Sequence, residues 1–286
     1  MTHHHDGLRA RVTSFSRRSV LRFGAGAAVC ATPLAFAQPG SLSGARLLVN
    51  EAVTADLSIS MLAMRYRNWA DYLSPVLKAK QVMVDPIIDI RRFVQQAVSD
   101  DKPMLLFGKS VNQLALLVRD HGYQPVVRRP EPYQAAFIVP KGSSIQSMSQ
   151  LSGRKLLMPD AFAATTAVAK AEMRRLSIRE PYISHTRFQD SVAAQVAAGL
   201  AEAGVVNPTV ARKWKEAGGL VIGETQPVVN WSVLASPRAP ADLVGRLTES
   251  MMAMNSQSGL MSDIGIKQWV KAERKDYLAL LDYTGE

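Results

Sequence analysis

Few side chains in this 286-residue sequence have the type and spacing to act on a small molecule, and those few suit an anion. Thr165 and Thr166 stand side by side where a helical pattern begins. Two hydroxyl donors there would join the free N–H groups and partial positive charge of a helix start. Either threonine could instead be an N-cap for the helix that follows. Lys109, between Gly108 and Ser110, would be the charge partner of an acidic ligand, with an exposed surface lysine as the alternative. Gln189 could donate an amide hydrogen bond, and Asn207 could close the site from a neighbouring strand end. Asn207 could equally serve the turn that Pro208 and Thr209 make. Tyr133 and Trp231 could wall a cleft, or they could be packing residues.

No reactive set accompanies these residues. The patterns GxSxG, HExxH and GxxxxGK[ST] are absent, and with them the usual signs of hydrolase, metalloprotease or nucleotide chemistry. His185 has no nucleophile or acid partner at a readable spacing. Met251, Met252, Met254 and Met261 fall at helical spacing, which suits core filling more than metal binding. The sequence predicts no enzyme, no cofactor and no metal site.

Residues 16–22 read SRRSVLR and precede a short apolar run ending in Ala35-Phe36-Ala37 before Gln38. A charged head, an apolar middle too short to span a bilayer comfortably, and small residues before a cut site predict an export signal over residues 1–37. The paired Arg17 and Arg18 resemble the twin-arginine signal for export in the folded state. The signal would take with it Cys30, the only cysteine, and three of the five histidines, leaving His121 and His185. Zinc or haem ligation by the remaining chain is therefore not expected. Arg9, Arg11, Arg17, Arg18, Arg22 and Asp6 would also leave, so the formal charge falls from +10 to +6, with 29 basic against 23 acidic residues. That mild surplus, without an arginine-rich tract, excludes a nucleic-acid partner and is compatible with an anionic ligand.

The elements that must position these residues alternate. Strand-type runs at 46–50, 81–85 and 103–108 interleave with helical spacing over 57–78, 88–99 and 112–121. That βαβαβα order predicts a parallel sheet covered by helices. A second unit follows, with strands at 134–140, 155–158, 182–185, 204–207 and 219–222 and helices over 165–176, 190–198 and 209–217. A run at 228–234 returns the chain, and most of what remains is helical. The expected lobes are 44–134 with 231–286, and 135–230, joined by crossings near Tyr133 and Val229. Open α/β sheets bind ligands beyond the carboxyl ends of their strands. Six loops lie there: 51–54, 85–87, 108–110, 162–166, 188–190 and 207–209. Lys109 is the only cation in them.

Four stretches carry a likeness to a known family: AAFIVPKGSSIQSMSQLSGRKLLMPD (135–160), QDSVAAQVAAGLAEAGVVNP (189–208), VLASPRAPADL (233–243) and DYLALLDY (276–283). With them the chain resembles the type II periplasmic solute-binding proteins, the receptors of ABC importers, and among these the phosphate, phosphite and phosphonate receptors. The resemblance implies two α/β lobes joined by two crossover strands, with a ligand cleft between them. It also implies a monomeric periplasmic protein that hands a small anion to a membrane permease. Where those receptors carry a Ser-Thr-Ser-Gly run, this chain has Ala163-Ala164-Thr165-Thr166-Ala167. Gln189-Asp190 stand where the family has His-Asp. These departures, with the twin-arginine pattern, give weight to an alternative on the same scaffold: a periplasmic accessory protein that signals to a membrane sensor kinase or serves respiratory assembly.

Overall fold

A computed structural model of the protein describes residues 45–51, 58–179 and 181–286. The export signal expected over 1–37 lies outside the described residues. The described residues begin with β1 (Ala45–Asn50), α1 (Ile59–Leu73), β2 (Val82–Pro86), α2 (Ile90–Val98), β3 (Leu105–Gly108), α3 (Val111–Asp120) and β4 (Gln124–Arg128). Next come β5 (Ala136–Val139), β6 (Lys155–Met158), α4 (Ala164–Arg175), β7 (Tyr182–His185), α5 (Gln189–Ala197), β8 (Ala203–Val206), α6 (Pro208–Glu216) and β9 (Leu220–Glu224). The chain closes with β10 (Ser232–Ala235), α7 (Ala241–Ala253), α8 (Ser258–Asp263), β11 (Val270–Lys271) and α9 (Arg274–Thr284).

Two sheets result. One has the order β11-β4-β10-β3-β1-β2, the other β7-β6-β8-β5-β9. The three strands of the βαβαβα pattern are mutually parallel, as expected, and the first sheet becomes mixed only where later strands join it. β1 runs parallel to β2 and β3, but β10 lies antiparallel between β3 and β4, and β11 is antiparallel to β4. The cause is the excursion through the second sheet, which returns the chain as β10 in the opposite direction. The two crossing segments meet at one antiparallel bridge, Tyr133 with Val228, whose N–H groups each donate to the other's carbonyl at 2.8 and 3.0 Å.

Alternation along the strands decides which helices cover which face. Leu47, Val49, Leu105 and Phe107 point to one side of the first sheet, against Tyr66 and Trp69 of α1 and Leu247 and Met251 of α7. Trp69 stacks on Trp269 at 6.2 Å, and Phe107 meets both rings edge-on. Leu48 and Leu106 point to the other side, towards Phe93, Leu114 and Tyr277, in a cluster that continues into the second sheet through Phe137, Leu156, Met158 and Val205. The opposite face of the second sheet buries Ile138 and Leu157 against Val192 and Val196 of α5. There α5 approaches β8 so closely that a Cβ on Gly204 would lie 2.7 Å from a Val192 methyl and 2.9 Å from a Val196 methyl.

Candidate functional site

Strands β2, β3, β6, β7 and β8 each lead within a few residues to the N-terminus of a helix, and all five helix starts line one cleft of about 490 Å³. Two of those starts are internally satisfied. The Asp89 carboxylate accepts from the Arg92 N–H at 2.8 Å at the start of α2, and Asn207 Oδ1 accepts from the Val210 N–H at 2.9 Å at the start of α6. The other three are not. Ser110, Ala163 and Phe188 precede α3, α4 and α5 without a side-chain hydrogen bond to the first turn. Orphan N–H groups and the positive end of the helix dipole thus converge on the cleft from both sheets.

Five of the six expected site residues line this cleft: Lys109, Ser110, Thr165, Gln189 and Asn207. Thr166 does not. Its hydroxyl is fully buried and donates to the Pro159 and Asp160 carbonyls at 3.2 and 2.9 Å, closing the loop that leads into α4. One position further along a helix turns the side chain about 100°, which takes it off the face that Thr165 presents. Asn207 serves as the cap of α6, the turn role that its Pro208-Thr209 neighbours suggest. The Ser110 hydroxyl donates to Asn50 Oδ1 at 3.1 Å, tying the ends of β1 and β3 together.

Thr165 is the hub of the second-sheet side. Its Oγ1 lies 2.5 Å from the Tyr133 hydroxyl and accepts from Gln189 Nε2 at 2.8 Å, while Gln189 Oε1 accepts from the Asn207 N–H at 3.0 Å. One linked chain therefore joins a crossing segment to the starts of α4, α5 and α6. When Tyr133 donates, both acceptor positions of Thr165 are filled and its own proton is left for a third partner. Burial pushes the Tyr133 phenol up to about 12, with the Thr165 bond acting the other way, so it remains a neutral donor.

Lys109 is not a free surface cation. Its Nζ forms an ion pair with Glu51 Oε1 at 2.5 Å and sits 3.7 Å from the centroid of the Trp231 ring. Glu51 is itself buried and also accepts from Arg65 at 3.0 Å and the Tyr66 hydroxyl at 2.6 Å. Burial alone would raise the Glu51 carboxyl, but Lys109, Tyr66 and Arg65 together more than offset it and hold it below the ordinary range. Burial lowers the Lys109 ammonium, assisted by Arg65 and Arg129 and opposed by Glu51.

Four further cations line the cleft outside the six expected loops: Arg129, Arg187, Arg212 and Lys213. Arg212 and Lys213 lie beyond the first turn of α6, where the position of the Asn207 cap and a 3.6-residue period could have found them. Arg129 lies in the crossing segment, and no sequence signal marks it. Among the described residues no group of three His, Cys, Asp or Glu side chains could hold a metal ion.

Two α/β lobes, two crossing segments and a cleft at the carboxyl ends of the strands define a type II periplasmic binding protein. The family model for the periplasmic substrate-binding protein of phosphonate ABC transporters matches residues 52–277, and the chain belongs to that family. The family is periplasmic and consists of receptors that deliver a small molecule to an ABC permease, not of enzymes. No curated protein matches the sequence.

Solved structures share the fold at low identity. A Xanthomonas citri protein bound to ATP is 15% identical over 85% of this chain and 97% of its own, with a TM-score of 0.71. PhnD1 of Prochlorococcus marinus in complex with methylphosphonate is 15% identical over 84% of this chain and 97% of its own, at 0.66. A binding-protein component of an ABC phosphonate transporter from Pseudomonas aeruginosa is 10% identical, covering 84% and 85%, at 0.63.

Proposed function

We propose that this receptor captures a small anion, a phosphonate- or phosphate-like oxyanion or an organic acid, between its lobes and delivers it as a monomer to a permease. The observation that carries this reading is the convergence of three uncapped helix starts, at α3, α4 and α5, on one cleft whose walls also hold Arg129, Arg187 and Lys213. Such donors favour an anion and leave a neutral or cationic solute without a partner. Lobe closure would then be driven by whatever the ligand gains from contacting both lobes at once. A thermal-shift and calorimetric screen of methylphosphonate, phosphite, phosphate and simple carboxylates against neutral sugars and amines tests the reading. Stabilisation by an oxyanion is expected; a response confined to neutral or cationic solutes would overturn it.

The twin-arginine pattern makes export in the folded state part of the same reading. Arg17→Lys with Arg18→Lys should leave precursor in the cytoplasm, read by fractionation. Undiminished export of that variant would show that the pair does not route the protein.

A further inference from the structure

We propose that the cleft takes a ligand with two separate acidic groups, one held by the uncapped starts of α4 and α5 and the other by Arg129. The ligand class is then a phosphonate or phosphate ester that also bears a carboxylate or a second phosphate. The inference rests on the anion-receptor reading and specifies it.

Two neighbouring cations, Lys109 and Arg128, are already engaged. Lys109 is neutralised by Glu51 at 2.5 Å. Arg128 donates to the Arg129 carbonyl at 3.0 Å and lies 3.4 Å from Asp276. Arg129 differs. Its Nε, like that of Arg128, is enclosed without a hydrogen bond, but among the described residues no other nitrogen of its guanidinium donates one either. The acid beside it, Glu131, approaches to 3.4 Å without hydrogen-bond geometry and is itself 48% exposed, against 21% for Arg129. Enclosed guanidinium donors without acceptors are costly, and a bidentate oxyanion is the partner that the planar fork fits.

Its orientation is fixed in advance. The guanidinium carbon lies 4.5 Å from the Trp231 ring centroid, and the Arg129 N–H donates to the Trp231 carbonyl at 3.0 Å. Trp231 also carries Lys109, so the indole positions cations.

The two anion holders belong to different lobes. Arg129 follows β4 of the six-stranded sheet, whereas α4 and α5 follow β6 and β7 of the five-stranded one. The cleft volume, about 490 Å³, falls in the range of about 300–1,000 Å³ typical of pockets for drug-sized ligands. A lone oxyanion would satisfy one end and leave the other empty.

Titration calorimetry of the purified protein with methylphosphonate, phosphonoacetate and 3-phosphonopropionate tests this. At least one phosphonocarboxylate should bind about tenfold to a hundredfold more tightly than methylphosphonate. Arg129→Gln should erase that advantage, weakening the phosphonocarboxylates about tenfold or more beyond any effect on methylphosphonate. Arg129→Lys, which keeps the charge but not the fork, should retain part of it and serves if the glutamine variant melts early. Equal affinity for all three phosphonates, or equal weakening of all three by either Arg129 variant, would overturn the two-group ligand while the anion-receptor reading stands. Binding of no oxyanion at all by the parent protein would remove that reading, and this inference with it.

Discussion

Single residues separate affinity from stability in this cleft. Thr165 lines the cleft, whereas the buried hydroxyl of Thr166, its neighbour, donates to two loop carbonyls. Thr166→Ala should therefore lower stability by about 1 kcal/mol, the net worth of a typical hydrogen bond, and leave ligand affinity unchanged. Thr165→Ala should weaken methylphosphonate binding, and paired urea titration and calorimetry would expose any reversal. Lys109 combines the two effects because it answers the buried Glu51 carboxylate. Removing one partner of a buried pair commonly costs about 3–5 kcal/mol. Arg65 and Tyr66 remain on Glu51, so Lys109→Ala should fall at or below the lower end of that range in urea denaturation. A Lys109→Ala protein as stable as the parent would show that the pair contributes nothing. At this scale the sequence revealed residue type but not engagement. Nothing in GKS at 108–110 discloses that Glu51 already holds the lysine. Nothing in RRP at 128–130 separates Arg128, which donates to the Arg129 carbonyl, from Arg129, whose guanidinium donates no hydrogen bond among the described residues.

Elements were legible where local punctuation agrees with burial. β6 and β7 have the bounds that the sequence predicts, 155–158 and 182–185, because Gly153, Pro159 and Pro181 isolate short β-type runs. β4 was not legible: Pro125 inside QPVVR removes a donor and demotes the run, and it is paired only because β10 and β11 reach it from elsewhere in the chain. The two-residue β11 carries no periodicity at all. Helix starts were placed within two residues, which sufficed to bring Thr165, Gln189 and Asn207 to one cleft. Caps were legible where Asp89 and Asn207 cap and where Ala163 and Phe188 cannot, but not at Ser110, whose hydroxyl goes to Asn50 instead. The α5–β8 contact supplies an element-scale prediction. Gly204 has an ordinary negative φ but no room for a side chain. Gly204→Ala should cost about 1–3 kcal/mol by overpacking, and Val192→Ala in the same chain should recover part of it by opening the space. Lack of any recovery in the double variant would mean that the strain lies elsewhere.

The whole molecule is held together mostly by residues outside the lining of the cleft. One hydrophobic cluster runs through both sheets, and a polar tie accompanies it. Glu172, eight residues into α4, is buried and accepts from the Tyr283 hydroxyl of α9 at 2.6 Å, from Arg175 at 2.6 Å and from the Gln226 N–H at 3.3 Å. One carboxylate thus links a helix of the second lobe, the helix that packs on α3 of the first, and the returning crossing. Burial alone would raise this carboxyl, but Arg175, Tyr283 and the Gln226 N–H together hold it below the ordinary range. A depressed carboxylate stabilises the fold fully above its unfolded-state value, and that stability is lost as pH falls through the folded-state value. Calorimetry should accordingly show one cooperative transition near neutral pH, because neither lobe can unfold without exposing the shared cluster. Its midpoint should fall as the solution is acidified below the ordinary carboxylate range. Glu172→Gln should start lower at neutral pH and lose less on acidification, since the glutamine has no charge to neutralise. Tyr283→Phe should shift the midpoint in the same direction at neutral pH by removing one of the carboxylate's donors. Two resolved transitions in the parent, or an unchanged acid slope in Glu172→Gln, would show that this carboxylate does not couple the lobes.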